Sequence, residues 1–379
     1  MNYPRPEIVS GQSSKNAVSP SLQIALPRVS VIVTCFNYSR YIIQCLDSVK
    51  SQTYENFDCV IVDDASTDDS GSLVERWIAS KKDPRFRLIR NASNSGQSVS
   101  FTVGLVATNG EFVAFLDADD FWFPEFLQRH IEAHLNRSFS AATSCSDMVQ
   151  IDDEGRVLSG TWAGPQFGEN VSQEFPAIDA EHSVRVDASS NSLKLSESAE
   201  VKYIRPGFLE HPWSATSGMV FRRSALDLVM PKTLENLRIC TDGYIFVICH
   251  YFTGSLAIGS ALGAYRRHGQ NNFSNNPVLG HDFPGVPTEI TRHLQTIVSA
   301  MLGHLLDNYD RFAAIFSDAR VRGFVDILFR TSLQNNIAIK DPRLRRVLGR
   351  RRMFEDKMKA KLSVLRRLAP WRTVTRAGR

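Results

Sequence analysis

The chain has 379 residues, 43% of them hydrophobic and 22% charged, an ordinary globular composition with enough length for one large domain or two moderate ones. No apolar run reaches the roughly eighteen residues a membrane-spanning helix needs, and no apolar segment follows Met1-Asn2-Tyr3-Pro4-Arg5-Pro6, so neither a transmembrane helix nor a secretory leader is expected. The net charge of +4 is uneven: from residue 341 onward there are 14 Lys/Arg against 3 Asp/Glu, which leaves the rest of the chain mildly acidic. The six cysteines form no C-x-x-C pair, and several, such as Cys59, sit in apolar runs. They read as reduced core thiols of a cytoplasmic protein.

Residues 1–27 are rich in Ser, Pro, Asn and Gln and read as a disordered N-terminal arm. Order begins at Val29-Ser30-Val31-Ile32-Val33-Thr34, a β-branched run typical of a buried strand. The turn Asn37-Tyr38-Ser39-Arg40 opens a helical stretch to about Ser51, with Ile42, Ile43, Leu46 and Val49 on one face. Strands over Phe57–Asp63, Phe86–Ile89 and Phe112–Leu116 alternate with helices through Leu73–Ile78 and Val99–Ala107. That alternation predicts an α/β fold, a mostly parallel sheet flanked by helices.

Ala141–Ile151 reads as a further strand, and 152–205 as an insertion or flap of weak periodicity. Gly218–Phe221 and Leu256–Arg266 read as strands. A helix is expected from Glu289 through Leu306, another over Val321–Leu333, and a basic amphipathic one from Arg343 to Leu368. The expected organisation is an arm (1–27), an α/β domain (28–284) and a helical, basic C-terminal region (285–379).

Ligands of open parallel sheets bind at the carboxyl ends of the strands, and this chain concentrates its polar residues there: Thr34 and Asn37 after the first strand, Asp63 to Asp68 after the second, Asp117-Ala118-Asp119-Asp120 after the fourth. Three carboxylates within four residues repel one another unless a cation neutralises them. Mg²⁺ or Mn²⁺, completed by diphosphate oxygens and water, suits such a group. Helix capping is the plainer reading, given Pro124 just downstream. An EF-hand is excluded, because Phe121 stands at the fifth position and no glycine follows. Asp64 at a strand end can accept a hydrogen bond from the N3–H of uracil or an analogous ring donor.

The ordered set Thr34/Asn37, Val62-Asp63-Asp64-Ala65-Ser66-Thr67-Asp68, Asn94-Ser95-Gly96, Asn109-Gly110-Glu111 and Leu116-Asp117-Ala118-Asp119-Asp120 resembles family 2 glycosyltransferases. The likeness is dense over residues 29–150 and sparser to His268. It implies the GT-A (Rossmann-like) fold, a nucleotide-sugar donor, and a base pocket of Asp64, Thr34 and Asn37, with Gly96 letting the backbone pass close to the donor. It further implies that Asp117 and Asp119 form the D-x-D motif, with Asp119 the direct metal ligand and His268 of Tyr265-Arg266-Arg267-His268 completing the metal site or contacting phosphates. The catalytic base would be Asp242, preceded here by Thr241 where the family usually has an acid. Cys35 stands where Pro or Thr is more usual.

Those assignments imply inverting transfer from a nucleotide-diphosphate donor to a glycan or lipid-linked acceptor. UDP is the favoured nucleotide, and dTDP and GDP stay open. Phe208 to Trp213 would border the acceptor cleft. The basic tail, with Phe354, Met358, Leu362, Leu365 and Leu368 at helical spacing, suits contact with an anionic membrane surface, the inner face of the plasma membrane in a cytoplasmic enzyme. No nucleic-acid module accompanies it. A sugar-phosphate nucleotidyltransferase would carry a glycine-rich basic loop where Cys35-Phe36-Asn37-Tyr38 stands. A haloacid-dehalogenase-like phosphatase would carry its D-x-D after the first strand. A catalytically dead carbohydrate-binding relative is disfavoured by retention of Asp64, Asp117, Asp119 and Asp242.

Overall fold

The computed structural model describes residues 25–135, 140–160, 177–179, 183–187, 192–196, 201–207, 215–230, 238, 241–269, 271, 288–334 and 341–349. The expectations for the first 24 residues, half of the 152–205 insertion, Phe208 to Trp213 and the tail from residue 350 lie outside them.

The first half alternates as its patterning requires: β1 (Val29–Cys35), α1 (Ile42–Lys50), β2 (Phe57–Asp63), α2 (Ser70–Lys81), β3 (Phe86–Arg90), α3 (Gln97–Val106) and β4 (Phe112–Asp117). These strands are parallel, in the order β3-β2-β1-β4. Successive residues of β1 face opposite sides: Val29, Val31 and Val33 join one buried cluster with Ile42, Leu46 and Val49 of α1, and Ile32 joins the other with Phe101 of α3 and Phe115 of β4. Phe101 and Phe115 stack 3.9 Å apart, each burying apolar surface that stabilises the fold by about 1.5–3 kcal/mol. The first helix follows a polar turn as the sequence suggests: Asn37 is left-handed, φ 60°, and residues 39–41 form the turn before Ile42.

The chain continues through β5 (Phe121–Trp122), α4 (Phe126–His134), β6 (Thr143–Ile151), β7 (Val157–Ser159), β8 (Ala177–Asp179), β9 (Ser183–Asp187), β10 (Ser192–Ser196) and β11 (Val201–Ile204). A 3-10 turn (Thr216–Gly218) then leads into β12 (Met219–Arg222), α5 (Arg223–Val229), α6 (Thr241–Thr253) and β13 (Ser255–Arg266). The sheet extends as β4-β12-β6-β13-β11-β8, with β9 and β10 pairing separately. Here it becomes mixed: β12 is antiparallel to both β4 and β6, whereas β13 is parallel to β6. The insertion read as weakly patterned therefore carries β7 to β11, whose strands of three to five residues are too short for a period-2 signal.

Four helices close the described chain: α7 (Thr288–Asp307), α8 (Tyr309–Phe316), α9 (Asp318–Gln334) and α10 (Arg343–Leu348). Their apolar faces, including Met301, Leu305, Phe312 and Phe324, join the cluster that holds Phe115 and the inner face of α6. The basic helix expected from Arg343 breaks at Gly349, φ 79°, and α8 was not anticipated. No described helix is long and apolar enough to cross a membrane.

Candidate functional site

The order β3-β2-β1-β4 reverses direction between β1 and β4, so a crevice opens beyond Cys35 and Asp117. Thr34 and Asp117 are register partners across it. The Thr34 hydroxyl donates to Asp117 Oδ1 at 3.1 Å, and Gln97 Nε2 donates to the same oxygen at 3.2 Å. Two residues on, the buried Asp119 carboxylate lies 2.9 Å from His268 Nε2 and is also bonded by the Tyr38 hydroxyl. The His268 ring stacks on Tyr41, centroids 5.3 Å apart, and meets the Tyr38 ring edge-on. Asp120 turns inward: its Oδ1 accepts the Arg266 N–H at 2.9 Å, and its Oδ2 is buried with no hydrogen-bond partner.

Burial, followed by the negative charge of Asp119, pushes the Asp117 carboxyl up to about 7, and the charge of Asp242 adds to that rise against the bonds from Gln97 and Thr34. Burial, followed by the negative charges of Asp119 and Asp117, holds the Asp120 carboxyl well above the carboxylate range. Arg266 spends its guanidinium on backbone and amide oxygens: Asp119 O (2.9 Å), Asp152 O (3.1 Å), Asp153 O (3.2 Å) and Gln44 Oε1 (2.6 Å), with the Tyr41 ring 4.8 Å away.

Crowded oxygen donors with unrelieved negative charge and an orphaned carboxylate oxygen fit a hard divalent cation. Among the described residues no three His, Cys, Asp or Glu side chains are grouped to hold a metal alone. Of the expected ligands, Asp119 and His268 are brought into contact, 2.9 Å apart, and Asp117 stands near enough for the charge of Asp119 to bear on it.

The remaining expected residues frame the crevice. Asn37 Oδ1 accepts the backbone N–H of Thr67 at 2.8 Å and of Asp68 at 3.3 Å, stitching the loop after β1 to the loop after β2. Its bonds run to residues 66–68 and not to Asp64 or the acidic group. The buried Asp64 carboxylate accepts from Asn91 Nδ2 (2.7 Å), Ser95 N–H (3.0 Å) and Gly96 N–H (2.7 Å). Asp242 is half-buried in the first turn of α6, where its charge bears on Asp117.

Residues 30–185 match the family described as Glycosyl transferase family 2. An uncharacterized glycosyltransferase of Nostoc sp. is 33% identical over 251 residues, 65% of this chain and 66% of that protein. The chain belongs to glycosyl transferase family 2. A Bacillus subtilis glycosyltransferase provisionally assigned to teichuronic acid biosynthesis is 35% identical over 30% of this chain and 44% of its own length. The chain thus spans just under two thirds of the Nostoc relative and less than half of the Bacillus one. Among solved structures, S. aureus TarS 1–349 in complex with UDP-GlcNAc superposes with a TM-score of 0.50 at 15% identity, covering 91% of this chain and 93% of that one, a likeness of fold. The α/β architecture is that of GT-A glycosyltransferases.

Within this family 2 domain, tertiary structure adds residues that sequence reading did not single out. Gln97 follows the Asn94-Ser95-Gly96 segment and reaches Asp117; its position after a turn glycine at a helix start was the available signal. Tyr38 and Arg266 lay inside motifs already noted, yet their partners are 81 and 147 positions away in the chain, beyond any local pattern. Arg238, whose carbonyl accepts the Gln97 N–H at 2.9 Å, carried no signal.

Proposed function

We propose that the chain is an inverting glycosyltransferase that moves a sugar from a nucleotide-diphosphate donor, a UDP-sugar first among candidates, to an acceptor hydroxyl. The observation that carries this reading is the contact of Asp119 with His268 at the switch point, near Asp117, with Asp242 close enough for its charge to act on Asp117.

In this reading the nucleotide lies over the ends of β1 and β2. Phe36, 39% exposed beside Thr34, offers a ring face to the base, and Asp64 holds the 91–96 segment that lines the pocket, its carboxylate edge being the reader of the base N–H. Asp119, Asp117 and His268 would hold Mn²⁺ or Mg²⁺, which when bound supplies positive charge at the diphosphate leaving group. Asp242 accepts the proton of the acceptor hydroxyl as that oxygen attacks the anomeric carbon opposite the leaving group. One such displacement inverts the anomeric configuration.

The family and the name of the Bacillus relative support a place in cell-surface polysaccharide or glycolipid assembly, with a glycan or lipid-linked acceptor. The basic composition of the tail supports contact with anionic lipid at the cytoplasmic face of the membrane.

The test is a panel of nucleotide sugars, UDP-GlcNAc included, with Mn²⁺, Mg²⁺ or chelator, scored by released nucleoside diphosphate in wild type and Asp119→Ala. Metal-dependent release from one donor, lost in the variant, supports the reading. A folded wild type that turns over no donor with acceptor-rich extract present overturns it.

A further inference from the structure

The segment from Asn91 to Ser98 is gripped from two sides. On the sheet side the Asp64 carboxylate takes the Asn91 amide and the Ser95 and Gly96 N–H groups. On the opposite side Arg238 O accepts the Gln97 N–H at 2.9 Å, the Arg238 guanidinium donates to Asn94, and the fully buried hydroxyls of Ser98 and Thr241 bond to each other. Gly96 is indispensable to this contact: its φ is 90°, and a Cβ would fall 2.8 Å from Arg238 O. Thr241 is the first residue of α6, and Asp242 is the next. A chain of direct bonds therefore runs from Asp64, at the nucleotide end of the crevice, to the residue that sets the backbone of Asp242.

Resting on the assignment of Asp242 as base and of the Asp64 end as nucleotide pocket, we infer that the 91–98 segment is a strut that couples nucleotide occupancy to the placement of Asp242, with Ser98 and Thr241 as the positioning residues that join them. A nucleotide that orders this segment stiffens the first turn of α6 through the hydroxyl pair. Donor binding thus holds the base more firmly in line for the acceptor. Small misplacement of a reacting group costs up to about 10²-fold in rate, so the join need move little to matter.

The experiment compares wild type, Thr241→Val, Ser98→Ala and Thr241→Ser. Thr241→Val is nearly isosteric, which favours folding, and melting temperature is checked in each. Hydrogen exchange is followed with and without UDP or GDP, whichever the protein binds on titration. In wild type the nucleotide should slow exchange over both 91–98 and 241–246. In Thr241→Val and Ser98→Ala it should do so over 91–98 alone, with nucleotide Kd within about twofold, transfer kcat down about tenfold or more, and Thr241→Ser restoring both readouts. Equal protection of 241–246 in wild type and Thr241→Val, or a parallel loss of nucleotide affinity and kcat, overturns the coupling. A wild type that shows the coupled protection yet transfers no sugar sinks the transferase reading alone. One that binds neither nucleotide refutes the pocket assignment and the coupling with it.

Discussion

The two parts of the sheet are built on different terms. From Val29 to Asp117 each strand pairs in parallel with strands of the same contiguous segment, and its polar ends are cross-linked by side chain–backbone bonds such as Asn37 to Thr67 and Asp64 to Gly96. From Thr143 to Arg266 parallel and antiparallel pairing are interleaved, and the bonds that matter span the molecule: His268 to Asp119 across 149 positions, Arg266 to Asp120 across 146. Bulges between Ile258 and Ala264 bend β13 beside the acidic turn. In the proposed reading the first region is the floor on which the nucleotide rests. The second folds a roof over the acidic turn. Substitutions in the two should therefore fail in different ways.

The largest effect is expected at the roof's chemistry. Asp242→Asn should lower transfer kcat about 10³-fold and leave nucleotide Kd unchanged, measured by initial rates and calorimetric titration. Comparable activity would move the base elsewhere. Next comes Arg266→Met, which removes the donors to Asp119 O, Asp152 O and Asp153 O. Orphaning buried carbonyls in this way should cost about 3 kcal/mol in urea unfolding. A loss under about 1 kcal/mol would mean that other contacts hold the roof.

In the floor, Gly104→Ala would place a Cβ 2.3 Å from Ile32 Cγ2, a β-branched core side chain with no room to retreat. Overpacking between α3 and β1 should cost about 1–3 kcal/mol, and the urea midpoint should fall without a change in slope. A neutral outcome would show that this half repacks more freely than its parallel geometry suggests.

The smallest effect concerns pH. Burial holds His130 and His134 of α4 below their ordinary value of 6.5, His134 at about 3, so the folded chain stays neutral where the unfolded chain takes up protons. Their contribution is fully present above pH 6.5 and is lost as pH falls toward 3, at a limiting slope of about 1.4 kcal/mol per pH unit for each histidine. Asp117, raised to about 7, acts in the opposite sense, losing stability as pH rises from the ordinary carboxylate value. The difference between variant and wild type isolates one group. His134→Gln, which can still donate toward Val220 O, should be less acid-sensitive than wild type when unfolding is compared at pH 7 and pH 5. An unchanged difference would show that His134 does not govern the acid limb.

The sequence by itself determined the parallel half. Alternation of Val29 to Val33 and of Cys59 to Val62 specifies which residues face each helical layer, because side chains in a strand leave opposite faces in turn. It also set the polar strand ends and the D-x-D-D turn, since parallel strands joined by crossover helices all end at the same edge of the sheet. Tertiary structure decided what these residues touch. That Asp119 meets His268, that the Arg266 guanidinium bonds carbonyl oxygens instead of carboxylates, that Asp64 grips the 91–96 segment and that β12 runs antiparallel follow from contacts between distant segments. No local period encodes such pairings. They are selected by closing long loops onto a core whose register the nearer elements have already set.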